Sequence, residues 1–210
     1  MNRIPLRCRC GLLTGSVDVT DRTGLRVICY CDDCQAYAAA LDRRDILDAF
    51  GGTDIWQTFP ARVELRLGRE HLRCLRLSDR GMYRWYAGCC RTPIGNSLAS
   101  PGLPFIGLVH AIMAHEEVSR DAALGPPTVR VQGRFASGGP PPGALESVSL
   151  GVILRTVGLL VRGVLSRGNR PSPFFIHGAP VVEPRVLSAA ERAAVTPSSG
   201  ASGGSTKVAS

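Results

Sequence analysis

The chain has 210 residues, 8 cysteines and a formal net charge of +8. Such a length fits one domain with a tail and can bury a core without disulfide staples. Arginine carries nearly all of the positive charge, Lys207 being the only lysine; the basic residues are scattered and no nucleic-acid-binding motif goes with them, which excludes nucleic acid as an expected partner and leaves a solvated basic surface with some pull on anionic ligands.

Residues 1–7 hold no apolar run long enough for a signal peptide, so the expected compartment is reducing and cytoplasmic. The Arg, Ala, Gly and Pro content reads as a GC-rich, bacterial genome. Residues 4–31 read as strands and turns. Val17 and Val19, then Leu25, Val27 and Cys29, alternate with polar positions about the turn Asp21-Arg22-Thr23-Gly24. Residues 33–50 read as a helix, with Ala36, Ala39, Ala40, Ile46, Leu47 and Phe50 along it and Gly51-Gly52 ending it. Strand 61–67 sets Val63, Leu65 and Leu67 on one face and Arg62, Glu64 and Arg66 on the other. Residues 71–77 and 82–86 make two more short strands around Ser78-Asp79-Arg80-Gly81, and this meander delivers Cys89-Cys90. Residues 105–109 and 128–131 are weaker strand candidates. Residues 147–166 read as a helix with a polar stripe of Ser147, Gly151, Arg155, Gly158, Arg162 and Ser166. Arg155 and Arg162 interrupt it too often for a transmembrane span. Two roles are open for it: packing on the body, or an interfacial or dimerisation helix.

The expected fold is therefore mainly β: a small antiparallel zinc-binding β fold over residues 1–136, with a few peripheral helices. A Gly/Pro-rich linker follows at 137–146, then a helical extension at 147–187 that includes the C-terminal amphipathic helix. Residues 188–210, mostly Ala, Ser, Gly and Thr, cannot build a core and read as a disordered tail.

Seven of the eight cysteines fall into three tight groups. A Cys-x-Cys pair on a strand points both thiols to one face. In Cys29-Tyr30-Cys31-Asp32-Asp33-Cys34 a third sulfur follows three residues later, as a turn or helix start allows. Three thiolates leave one position of a tetrahedral zinc open, the arrangement of a catalytic site. A redox Cys-x-x-Cys and buried core thiols are the other readings; the first lacks a βαβ context and leaves Cys29 unexplained. Cys8-Arg9-Cys10-Gly11 and Cys89-Cys90 make a second candidate, in which a metal cross-links distant segments. Adjacent Cys89 and Cys90 face opposite ways in extended chain and share an ion only in a tight turn. Cys74 lies inside a strand and reads as a buried thiol. Asp32 and Asp33 read either as hydrogen-bonding and acid/base groups at the metal or as a solvated helix start. His110 and His115-Glu116-Glu117 lack the second histidine of a zinc-binding helix.

At these residues the chain resembles the glutathione-dependent formaldehyde-activating enzyme family, over about residues 6–98. That family carries Cys-x-Cys-Gly near its start, then Cys-x-Cys-x-x-Cys followed by Arg or Gln, then a late Cys-x-x-Cys-Gly-[Ser/Thr]. The matching segments here are Cys8-Arg9-Cys10-Gly11, Cys29-Tyr30-Cys31-Asp32-Asp33-Cys34-Gln35 and Ala87-Gly88-Cys89-Cys90-Arg91-Thr92. The resemblance implies a mainly β fold with two zinc sites. Cys8, Cys10 and the late pair would hold a structural zinc; Cys29, Cys31 and Cys34 would hold a catalytic one. It implies the joining of formaldehyde to the glutathione thiol to give S-(hydroxymethyl)glutathione, a carbon–sulfur lyase reaction, with zinc polarising the carbonyl or lowering the thiol's pKa.

Ala87 stands where the family has its first late cysteine, and Arg91 where it has glycine. Either Cys89 takes the missing place, or the structural zinc is three-coordinate or absent. Segment 35–60 and the C-terminal extension also depart from the compact family pattern, which leaves glutathione specificity open. Two functions from different classes result. One is a zinc-dependent enzyme of carbon–sulfur lyase type acting on a small thiol or aldehyde substrate. The other is a non-enzymatic, zinc-stabilised binding module that engages a protein or membrane through residues 147–166. An open site facing a pocket favours the first; a closed site beside an exposed apolar helix face favours the second.

Overall fold

The computed structural model describes residues 2–19, 24–114 and 117–197. Asp21, Arg22 and Thr23 of the expected turn, His115, Glu116 and residues 198–210 of the expected tail lie outside them. In chain order the strands and helices begin β1 (Asn2–Arg7), β2 (Thr14–Val19), β3 (Leu25–Cys29), α1 (Asp32–Ala40) and β4 (Thr53–Thr58). A meander follows: β5 (Val63–Leu67), β6 (Leu72–Arg76), β7 (Tyr83–Ala87), β8 (Thr92–Ser97) and β9 (Ile106–Val109). The rest comprises α2 (Glu117–Leu124), β10 (Val129–Val131), α3 (Leu150–Leu165), β11 (Phe175–Ile176), β12 (Ala179–Pro180), β13 (Arg185–Val186) and α4 (Ala189–Val195). The protein is mainly β, with antiparallel pairing dominant and few helices, as its sequence pattern led us to expect.

The strands form a three-stranded sheet, β1-β2-β5, and an eight-stranded sheet, β10-β3-β4-β9-β8-β7-β6-β13, beside the small hairpin β11-β12. Only the two outermost pairs of the large sheet, β10 with β3 and β13 with β6, are parallel. The small sheet packs Ile4, Leu6, Val17 and Leu65 against Trp56, Trp85, Ile94 and Leu108 of the large one. On the opposite face α1 packs Ala36, Tyr37, Ala38 and Leu41 against Leu75, Leu77 and Val109. Strands covered on both faces lose the in–out alternation of a half-buried sheet. Every residue of β8 and β9 is buried accordingly. Such burial explains why β8, with the sequence Thr-Pro-Ile-Gly-Asn-Ser, gives no strand signal: small residues let neighbouring chains close in. A Cβ on Gly95 would come within 2.6 Å of the Gly107 carbonyl oxygen.

Three expectations need correction. The first helix stops at Ala40, well before Phe50. Asp42 takes a left-handed φ of 54°, Arg43 N–H donates to the Ala38 carbonyl at 2.8 Å, and Asp42 N–H donates to that of Ala39 at 2.9 Å. Those bonds form a helix-ending motif usually built on glycine, so the sequence conceals the stop. On strand β5, Val63 and Leu65 are buried but Leu67 is 67% exposed, at the strand's end. The stretch from Ser188 is not featureless: Ser188 and Glu191 form a reciprocal capping box that starts α4.

Beyond residue 136 the chain returns to the body. The 137–146 loop is stitched down by Leu145 N–H to the Arg130 carbonyl and Ser137 N–H to that of Phe50, both at 2.9 Å. Helix α3 begins at Ser149, whose hydroxyl accepts from Val152 N–H at 3.4 Å. Its inner face buries Val152, Leu159 and Gly163. Phe174 enters the main core fully buried.

Candidate metal centres

The first centre forms where β3 hands over to α1. Cys29 is the last residue of β3, Cys31 is the N-cap of α1, and Cys34 lies in its first turn. Cys31 therefore fills the position usual for Ser or Asp: its sulfur accepts from Cys34 N–H at 3.4 Å. The Cys29 and Cys31 sulfurs are 3.3 Å apart, and all three sulfurs lie within 4.8 Å of one another. Two sulfurs on one tetrahedral zinc sit about 3.8 Å apart, so the spacing suits a shared ion. The thiols by themselves resist ionising. The bond with Cys31 pushes Cys29 up to about 12, the bond with Cys29 pushes Cys34 up to about 12, and burial adds to both. Cys31 also stands at about 12: its bond with Cys29 lowers it, but Cys34 and burial outweigh that. A divalent soft-loving cation reverses the balance by attracting each thiolate directly.

Arg84 on β7 lies beside the cluster and is 3% exposed. Burial works against its charge, but Cys34, Asp33 and Cys31 hold its pKa above the ordinary value. Its guanidinium donates to Asn96 Oδ1 at 3.1 Å and Asp33 Oδ2 at 3.2 Å, and it lies 5.3 Å over the Tyr37 ring. The other oxygen of Asp33 accepts from Arg192 of α4 at 2.6 Å. Asp33 thus joins α1, the central sheet and the C-terminal helix, while Asp32 accepts from Asp33 N–H at 2.9 Å. Arg84 is the residue that the sequence reading missed. Its signal was a charge inside the apolar run Tyr83-Arg84-Trp85-Tyr86 of a strand buried on both faces.

The three thiols open on a cavity of about 260 Å³, roofed by Val148, Val152 and Thr156 around the start of α3. Ile55, Met82, Phe105 and Val131 give it an apolar wall. Gln57 and Gln132 also line it, and the side-chain oxygen of each is buried with no hydrogen-bond partner among the described residues, as is Arg84 Nε. Three buried polar atoms without partners beside a cavity are consistent with a polar ligand there.

The second centre gathers Cys8, Cys10, Cys89 and Cys90, with all four sulfurs within 4.8 Å of one another. Sulfur separations are 3.5 Å for Cys8–Cys10, 3.3 Å for Cys10–Cys89 and 3.8 Å for Cys89–Cys90. Two tight turns make this possible. After β1, Gly11 takes φ 80° and its N–H donates to the Cys8 carbonyl; after β7, Arg91 takes φ 57°. The second turn lets adjacent Cys89 and Cys90 point to one place, so both sulfurs join those of Cys8 and Cys10. Cys90 falls to about 6: burial raises it, but the Thr92 hydroxyl and the Cys10 and Thr92 backbone N–H groups lower it further. Cys89 is pushed up, mainly by burial. Cys74 belongs to neither group and is buried in β6, as expected, and no histidine joins either group among the described residues. Both groups can hold a metal.

The model of the family of unknown function DUF6151 matches residues 1–185. The chain belongs to DUF6151. Both cysteine groups and α3 lie inside the matched region of this DUF6151 protein. No curated protein matches it significantly.

Proposed function

We propose that this DUF6151 protein is a zinc-dependent enzyme of the carbon–sulfur lyase type, acting on a small thiol–aldehyde adduct, with S-(hydroxymethyl)glutathione formation as the reference reaction. One observation carries the reading: the three thiols of Cys29, Cys31 and Cys34 face an open cavity, where the other group has four sulfurs. Cys29, Cys31 and Cys34 would hold the zinc, and Cys8, Cys10, Cys89 and Cys90 a structural one. Bound zinc supplies Lewis acidity that polarises a carbonyl oxygen or lowers a thiol's pKa. Arg84 contributes a fixed positive charge that balances the excess negative charge of three thiolates. Asp33 holds Arg84 in place and is itself taken up on both oxygens. Gln57 and Gln132 offer amides to orient a polar substrate, and the apolar wall keeps bulk water away from the reacting atoms.

The test is exchange between formaldehyde, glutathione and their adduct, followed by nuclear magnetic resonance. Zinc-loaded wild-type protein should accelerate the exchange, and a folded Cys31→Ser variant should not. Exchange at the uncatalysed rate with fully loaded wild type would rule out the glutathione reading. One observation favours the second reading, a zinc-stabilised binding module: α3 exposes seven large apolar side chains between Leu150 and Leu165. The first reading stands ahead because the three-thiol site is open to a cavity.

A further inference from the structure

Helix α3 has two faces with different partners. Its inner face, through Val152 and Thr156, lines the cavity over the three thiols, and through Leu159 and Gly163 it packs on the body. Among the described residues its outer face has no partner. Leu150, Leu154, Val157 and Val161 run along the middle of that face, with Ile153 and Leu165 at its edges. Exposure reaches 61% at Leu154 and 81% at Leu165. At 100° per residue these side chains span an arc about 120° wide, broader than the narrow seam that pairs two coiled-coil helices.

We propose that this outer face docks on an anionic lipid surface. Charge supports the choice. No acidic residue lies between Leu150 and Leu165, Arg155 and Arg162 follow the arc along one edge, and the chain carries a net charge of +8. A basic edge beside a broad apolar arc is the pattern of a helix lying in a membrane interface. A second copy of the chain fits less well. Its own α3 carries no acidic residue either, so pairing two such helices adds no charge attraction. A helix of 16 residues is about 24 Å long, and one helix-to-helix contact of that length covers a few hundred Å², well short of the roughly 800 Å² per partner of a stable interface. A membrane covers the whole arc and needs no matching shape. Among the described residues no helix is long and apolar enough to cross a membrane, so the contact is at the surface. The proposal is independent of the chemistry at the thiols, and either can fail without the other.

Flotation of the full-length, zinc-loaded protein with vesicles tests it. One set contains equal parts phosphatidylglycerol and phosphatidylcholine, the other phosphatidylcholine alone. Binding to the anionic set should be at least about fivefold tighter, the factor that a single arginine contributes near such a surface, and should weaken in high salt. The double variant Leu154→Asp/Val161→Asp, which touches only exposed positions, should stay in the unbound fraction while keeping wild-type zinc content and circular dichroism. Wild-type protein that binds neither set, or binds both equally, overturns the proposal. So does a stable dimer by analytical ultracentrifugation without vesicles that the double variant abolishes, since that assigns the face to a second copy.

Discussion

The two cysteine groups are built from similar parts and end differently. Around Cys8, Cys10, Cys89 and Cys90, two tight turns present four sulfurs, enough to complete a tetrahedral ion. Around Cys29, Cys31 and Cys34, a strand end and a helix start present three, beside a buried arginine and a cavity. On the function proposed above, the geometry of the turn would set the role of the centre: a turn that gathers four ligands would cross-link, and one that stops at three would leave a coordination position for chemistry.

The largest expected effect breaks the four-sulfur side of that comparison. Cys8→Ser should cost several kcal/mol of stability, on the order of 10 °C in Tm, because metal loss is among the few single changes that destabilise so strongly. Zinc content should fall as well. Unchanged melting and unchanged zinc would show that this group holds no metal.

Arg84 sharpens the other side. Arg84→Met removes a buried positive charge beside the three-thiol group and should weaken zinc at that centre by about 10–100-fold, as loss of a partner to metal ligands does. Arg84→Lys should recover part of it. A competition titration with a zinc chelator reads both. Identical affinities for wild type and Arg84→Met would remove the arginine from the site.

A smaller effect is expected at the tie between α4 and the three-thiol centre. Arg192→Ala frees one oxygen of Asp33 and should cost about 1 kcal/mol or less in a urea melt, because the pair is partly exposed. Hydrogen exchange should rise in 189–195 and leave β7 unchanged.

The smallest effect is pH-dependent and concerns the support of the four-sulfur group. Arg43 donates to Asp45 and to the Thr92 hydroxyl, which in turn contacts Cys90. The hydrogen bond from Arg43 holds the Asp45 carboxyl below its usual value, against a smaller push from burial. A folded-state pKa that is lowered contributes stability above the unfolded value, and loses it as pH falls through the folded one. The gap between wild type and Asp45→Asn should therefore be present at neutral pH, at most about 1 kcal/mol given the exposure of Asp45, and close below about pH 4. A gap that widens in acid would contradict this pairing.

The sequence made the β core and both cysteine groups legible because local spacing carries them. Alternating Val17 and Val19, and Val63 and Leu65, need no long-range information. Cys29, Cys31 and Cys34 converge through one strand end and one helix cap. What local pattern misses depends on distant partners. Strand β8 looks polar because both of its faces are covered by chain far away in sequence. Arg84 is useful only because α1 brings Cys34 and Asp33 to it. The union of Cys89 with Cys90 rests on a left-handed Arg91, where glycine would be the usual signal. Helix α4 carries its capping box in plain view at Ser188 and Glu191, but the surrounding Ala and Ser residues mask it.

Zinc K-edge X-ray absorption on fully loaded wild-type protein tests the central claim most directly, because it counts sulfurs per ion. One four-sulfur centre and one three-sulfur centre completed by a light atom average about 3.5 sulfurs and about 0.5 oxygen or nitrogen per zinc, with Zn–S near 2.3 Å. Metal analysis of the same sample should give two ions per chain. A single zinc per chain with four sulfurs would contradict the account, since it would leave Cys29, Cys31 and Cys34 as plain thiols beside a cavity.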